Sequence, residues 1–530
     1  MSVTEPYRQL DPARPRGFWE QPWLIAFLVL AMAVPLIGPD VPPLVDLPGH
    51  MARYAVQLGR AGDPALQHFF DYDMALIGNL GIDLLIVPVA ALFGLELGTK
   101  LLIMAIPVLT AAGFLWVARE VHGRIPPSAF LALPFAYGFP FLFGFVNFAL
   151  SMALAFLAFG LWLQLGRLDR DWLRAAIFVP ISVVVWTAHT FGWGTLGVLA
   201  FSAELIRQFD QRRAIVAAGF RAAVQCLSLA PPMLLMLLWR TGAQGGGFTG
   251  DFFNWHAKWL WIKYALRDRW EWFDLGALAL VTLLLLRAAW SPRLQFSRNL
   301  LASVIFLSIV FLCLPRIMFG SAYADMRLVP YLFAVAILAV RLKPRAGPRF
   351  AAALAGLALL FVGVRLAGLT YSFALHDRRF DAELAALKRV PRGARLVSFV
   401  GRPCREGWMQ GRTGHLPGLA TVRRHAFTND QWQLPGGALL TVRYAPAGWF
   451  MRDPSQIVTP RKCTQESWLS LDDSLKTLPR DAFDYVWLIR PPFHDQRLLV
   501  GLQPIWHNGH SVLYRVFDRA PPPIALEETG

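Results

Sequence analysis

Charge is scarce in this chain of 530 residues: Asp, Glu, Lys and Arg make up 16% of it, against about 25% in ordinary soluble proteins. Cysteine is scarcer still, with four residues and no two of them in CxxC spacing, which argues against a structural zinc site. Cys226 and Cys313 lie in apolar runs and read as small core residues. Cys404 and Cys463 lie in the polar tail, where an oxidising compartment would allow them to pair. No P-loop, no GxGxxG in a strand–turn–helix setting, no HExxH and no GxSxG occurs, so the chemistries those motifs carry have no support. No internal repeat is apparent either, although repeated halves are the mark of many transporters.

What the chain has instead is apolar residues, 55% of the total, in long runs that give a mean hydropathy of +0.43. Twelve apolar segments lie between residues 22 and 371, several shorter than the roughly 20 residues of a straight membrane span. The first, "WLIAFLVLAMAVPLIG", follows Arg8, Arg14 and Arg16 and is succeeded by "GPDVPP" instead of a small-residue cleavage site, so it reads as an uncleaved span. The stretch "ALPFAYGFPFLFGFVNF" is broken by Pro and Gly, which a membrane tolerates where backbone is shielded from lipid.

The net charge of +16 would suggest nucleic acid in a soluble protein, but the basic residues cluster between apolar runs. Arg167–Arg174, Arg207–Arg213, Arg287–Arg298 and Arg341–Arg349 read as cytoplasmic loops obeying the positive-inside rule, and no nucleic-acid partner is expected. With residue 1 inside and everything after Tyr371 outside, the number of crossings must be odd. About eleven is the expectation, one segment between residues 80 and 165 being re-entrant, split or fused.

From Ser372 onward the composition changes. "DRRFDAELAALKRVP" predicts an amphipathic helix with Phe380, Leu384 and Leu387 on one face. "ARLVSFVG", "FDYVWLIR" and "SVLYRVF" predict strands, being rich in β-branched and aromatic residues. The expected fold class is therefore an α-helical polytopic membrane protein over residues 1–371, followed by a soluble, extracytoplasmic α/β domain over residues 372–530.

The first outer loop, residues 39–79, is unusually charged. In "DLPGHMARYAVQL", Asp46, His50 and Arg53 stand at i, i+4 and i+7, on one face of a helix that begins at Asp46. Asp46 fits an N-cap, with Pro48 tolerated in the first turn. The bland reading is a capped helix at the water interface; the sharper one is catalysis.

An early acidic motif in a long outer loop, many further spans and a soluble tail together resemble the GT-C superfamily of integral-membrane glycosyltransferases. "VDLPGHMARYA" is similar to the first-loop acidic motif of that superfamily, and "FDYVWLIRP…SVLYRV" to the end of its tail. The resemblance implies a polyprenyl-phosphate-linked sugar as donor and a lipid or glycan acceptor from the cell envelope. Inverting transfer needs a carboxylate to take the acceptor's proton. Asp46 is the candidate, with Asp40 behind it, and His50 and Arg53 beside it as substrate contacts. Many relatives carry adjacent acids where Leu47 and Pro48 follow Asp46, so no metal ligand is assigned; a divalent cation, magnesium or manganese, stays open as cofactor.

A lipid-phosphate leaving group also needs cations near the outer boundary. "LPRIMFGSAYADMRLVP" supplies Arg316, Asp325 and Arg327, which could equally be interfacial anchors. Arg365 lies inside the last apolar run, where ionisable residues are rare, although it could snorkel to the interface. His189 stands between two apolar segments, where a hydrogen-bonded core histidine is the bland reading. The aromatic stretch Gly245–Asp274 suggests a helix lying on the membrane, or a lid over substrate with Asp251, His256 and Lys258 as polar contacts. A transporter or lipid flippase, or a glycan polymerase or ligase, are the alternatives.

Overall fold

The computed structural model describes residues 16–59, 62–241, 248–318, 320–433, 439–463 and 468–521. Arg8, Arg14 and the glycine run 242–247 lie outside them. The chain divides into two compact units. One comprises Met1–Gly38, Leu76–Leu85 and Leu101–Ser372; the other comprises Pro39–Ala75, Ile86–Lys100 and Phe373–Gly530. Most of residues 39–79 thus belongs to the same unit as the tail.

The first unit is helical. Five helices among the described residues are long and apolar enough to cross a membrane: Leu95–His122, Val146–Arg167, Asp171–Ala188, Glu271–Trp290 and the helix that starts at Pro348. A sixth span is possible if Ile215–Leu229 and Pro231–Leu237, bent by 66° at Ala230, count as one. Four further apolar helices, Pro22–Ile37, Gly81–Phe93, Pro127–Phe143 and Arg298–Cys313, are shorter. The Pro/Gly-broken stretch forms a 3-10 helix, Pro127–Tyr137, and a short α-helix, Phe139–Phe143, joined at Gly138. Every residue of the 3-10 part is buried, so its irregular backbone is shielded by protein.

Polar contacts gather the loops of this unit at two ends. At one end Arg207 pairs with Asp171, Arg298 with Asp210 and Arg167 with Glu120. A two-stranded antiparallel ladder there sets Leu294–Phe296 against Val340–Leu342. Ser128 donates to the Val340 carbonyl, His122 contacts the Leu338 carbonyl, and Trp19 donates to the Ile125 carbonyl. All four arginine clusters and the start of the first span are linked in this set. The helix Asp171–Ala188 leads away from it, and its 18 residues cover about 27 Å. At its far end Thr190 donates to Gly78, while Asn147 donates to Asn79 and Asp83.

The second unit is α/β. Its six-stranded sheet has the order Leu469–Ser470, Ile457–Thr459, Leu396–Gly401, Tyr485–Ile489, Val512–Val516 and Leu502–His507. The first four strands are parallel, and the last two pair antiparallel. In the strand Leu396–Gly401 five residues in a row are buried, Leu396, Val397, Phe399 and Val400 among them, as expected of a central parallel strand covered on both faces. Three of these strands coincide with the sequence-predicted ones. The predicted amphipathic face is present too, with Phe380, Leu384 and Leu387 buried. It does not form a separate helix: Pro348–Leu384 is one helix of 37 residues, because neither Pro nor Gly interrupts the chain between its apolar and amphipathic parts. Cys404 and Cys463 form a disulfide.

The first loop is woven into this unit. Phe70–Tyr72 pairs antiparallel with Leu440–Val442, and Asp71 forms an ion pair with Arg443. Asp63 caps the helix Pro64–Phe69 through the amides of Ala65 and Leu66 and also binds Arg392 and His425.

Candidate functional site

Asp46 stands immediately before the helix Leu47–Gly59, and its carbonyl accepts the His50 amide, as the sequence spacing predicts. Most of this helix is buried, including Met51, Arg53 and Tyr54. It packs on the helix Gly418–Arg424, and two glycines permit the approach. A Cβ on Gly49 would lie 2.7 Å from the Trp432 ring, and one on Gly418 would lie 2.8 Å from the Pro48 carbonyl oxygen.

The Asp46 carboxylate is nearly buried, and His415 faces it. His415 Nε2 lies 3.9 Å from Asp46 Oδ1 and 3.8 Å from Asp453 Oδ1. On the other side of the ring, Nδ1 lies 3.0 Å from the Asp430 carbonyl oxygen and 3.8 Å from Asp430 Oδ2. Burial disfavours a charged imidazole, but the contact with Asp430 and the charges of Asp453 and Asp46 outweigh it and hold the His415 pKa at about 9. Burial pushes the Asp453 carboxyl above its ordinary value, and His415 opposes that rise.

The backbone fixes these groups. The Asp453 amide donates to the Gln431 carbonyl, and its Oδ1 accepts from Gln456 at 2.7 Å. Asp430 Oδ1 accepts from Thr428 at 2.6 Å. Next to Asp430, Asn429 acts as a side-chain strand partner of the sheet, accepting from the Ser398 amide at 2.9 Å and donating to its carbonyl. Trp432 packs between two imidazoles, its ring 4.2 Å from that of His415 and 5.0 Å from that of His50. A carboxylate, a charged imidazole and an indole wall thus meet in one place, a combination suited to binding and deprotonating a hydroxylated ligand.

Asp40 is exposed, and its amide donates to Asp377. The other candidates lie in the helical unit, and most of them are joined there. His189 caps the helix Thr190–Asp210, Nδ1 accepting the Phe191 amide, and its Nε2 lies 3.3 Å from Arg327 Nη1. Arg327 is buried over the ring of Phe145, 4.4 Å from its centroid, and donates to Ser321. Lys258 pairs with Asp325 at 3.3 Å and also donates to the Phe311 and Leu314 carbonyls, so its three N–H groups are all engaged inside the protein. Trp261 donates to the other Asp325 oxygen. Arg365 does not snorkel: it is buried, bonded to Asp274 at 2.7 Å and to the Leu266 carbonyl at 3.0 Å. Asp251 pairs with Arg316 at 3.4 Å in a half-exposed setting, and His256 is exposed near Phe252, Trp255 and Trp259, which form an exposed aromatic surface.

Sequence reasoning missed His415, Asp430, Trp432 and Asp453. They lie in loops of the tail between residues 415 and 453, with no period or motif linking them to Asp46. The available signal is the run "AFTNDQ", in which Thr428, Asn429, Asp430 and Gln431 are polar yet buried. Among the described residues, no group of three His, Cys, Asp or Glu side chains is arranged to hold a metal ion. No protein-family model and no curated protein matches the chain.

Proposed function

We propose that the chain is a glycosyltransferase of the bacterial inner membrane, moving a sugar from a polyprenyl-phosphate donor to a lipid or glycan acceptor on the outer face. The observation that carries this reading is the Asp46 carboxylate, nearly buried at the start of a helix beside the His415 imidazole. In the reaction, the acceptor oxygen bonds to the anomeric carbon while Asp46 takes its proton. The bond from that carbon to the phosphate oxygen breaks on the opposite side, and its electron pair leaves with polyprenyl phosphate. Attack from one face and departure from the other invert the anomeric centre. His50 and Arg53 are the candidates from the same helix for contacting substrate.

The topology that suits this chemistry has eleven crossings, with the N-terminus in the cytoplasm. The linked arginine clusters and Trp19 support a single cytoplasmic end of the helical unit. Gly81–Phe93, at 13 residues, is shorter than the roughly 20 that a straight span needs, and we take it as the segment that does not cross. That helix is then the odd segment in the parity count. The disulfide Cys404–Cys463 supports a tail in an oxidising compartment.

The test is release of polyprenyl phosphate by the full chain in proteoliposomes, using a panel of polyprenyl-phosphate-linked hexoses and pentoses with cell-envelope extract as acceptor. Release that depends on protein and acceptor, and that Asp46→Ala abolishes, is the expected result. No release from any donor, or full activity in Asp46→Ala, would overturn the reading.

A further inference from the structure

His415 has a role that follows from the chemistry of its two nitrogens, given Asp46 as the base. A carbonyl oxygen only accepts, so the 3.0 Å contact with Asp430 requires a proton on Nδ1. In the neutral ring, Nε2 would then be a bare lone pair facing the carboxylates of Asp46 and Asp453 at 3.9 and 3.8 Å. Lone pair against two anions is repulsive; an N–H in the same place attracts both. Trp432 packs against the ring at 4.2 Å, and the indole is itself close against Gly49, where an added Cβ would lie 2.7 Å from it. Neither Nε2 distance is as short as a charge-assisted hydrogen bond, which is about 2.7–2.9 Å. The ring is therefore poised between two carboxylates and locked to neither, and catalytic contacts of this kind tighten on substrate binding.

We propose that His415 is a positioning residue, whose Nε2–H, aimed between Asp46 and Asp453, holds the Asp46 carboxylate ionised and correctly turned to take the acceptor proton. The tail thereby completes a site that begins in the first outer loop. Among the described residues, the titratable groups facing the ring are Asp46 ahead of the helix Leu47–Gly59, Asp430 from the segment beside the sheet, and Asp453 from the loop after Ala445–Met451. Each is acidic, so each favours the charged ring. With the His415 pKa at about 9, the rate should fall on the alkaline side with a midpoint near that value.

The experiment is a pH profile of polyprenyl-phosphate release, in the proteoliposome assay above, for wild type, His415→Gln, Asp453→Asn and Asp46→Asn. His415→Gln should lower kcat by about tenfold or more with little change in KM for the donor, and its profile should lack the alkaline limb. Asp453→Asn, which keeps the ring but removes one of its anions, should move that limb to lower pH. This second variant carries the test if His415→Gln does not fold. An inactive Asp46→Asn alongside a His415→Gln or Asp453→Asn profile with the wild-type kcat and limb would overturn the positioning role alone. A fully active Asp46→Asn would overturn the base assignment, and the role of His415 with it.

Discussion

At Asp63 a single carboxylate caps a helix and also binds two residues from the far end of the chain, Arg392 and His425. Burial alone would raise its pKa, but the hydrogen bond and charge of His425, the Leu66 amide and Arg392 together hold it below the ordinary carboxylate value. A depressed carboxylate contributes stability that is present above its unfolded pKa of about 3.9 and is lost as pH falls through the folded value. Asp63→Asn should therefore lower the thermal midpoint of the full chain in detergent at pH 7, and the difference from wild type should shrink as pH falls below the ordinary carboxylate value of about 3.9. A difference that persists in acid would mean the carboxylate's charge is not its source. The linkage at His415 has the opposite sign: its raised pKa contributes stability below about pH 6.5 that is lost as pH rises through about 9. Thermal midpoints of wild type should fall across that alkaline window while those of His415→Gln stay flatter.

Elements of this chain are held together by polar pairs between residues distant in sequence. Asp274 in the helix Glu271–Trp290 binds Arg365 in the helix Pro348–Leu384, 91 residues on, and both side chains are buried. Removing one partner strands a buried charge, at a cost of about 3–5 kcal/mol, whereas removing both together is often nearly neutral. Asp274→Leu should lower the thermal midpoint by several degrees, and the double variant Asp274→Leu/Arg365→Leu should recover most of the loss. Equal midpoints for the single and double variants would show that the pair does not couple the two helices. Local pattern made the helix after Asp46, the strands at 396, 485 and 512 and the buried face of Phe380, Leu384 and Leu387 legible in the sequence. The pairs Asp274–Arg365 and Lys258–Asp325 were not legible, because neither helical nor strand periodicity reaches across such separations. For the same reason Asp46 could be singled out, while His415 and Asp453, brought beside it by sheet topology, could not.

Over the whole molecule, the informative quantity is where the surplus positive charge falls. The chain carries 51 basic against 35 acidic residues, and its four arginine clusters, far apart in sequence, meet at one end of the helical unit. If that end is cytoplasmic, reporters fused after residues 210 and 345 should be active only in the cytoplasm. One fused at the C-terminus should be active only in the periplasm, and Cys404 and Cys463 should resist alkylation until reduced. A cytoplasmic C-terminus would require an even number of crossings and would remove the tail from the outer face. The central claim concerns a single carboxylate, and single-turnover kinetics tests it most directly. With a polyprenyl-phosphate sugar that wild type accepts, the Asp46→Asn rate should be about 10²–10⁴-fold lower, with donor affinity unchanged. A rate within twofold of wild type would contradict the assignment of Asp46 as the base.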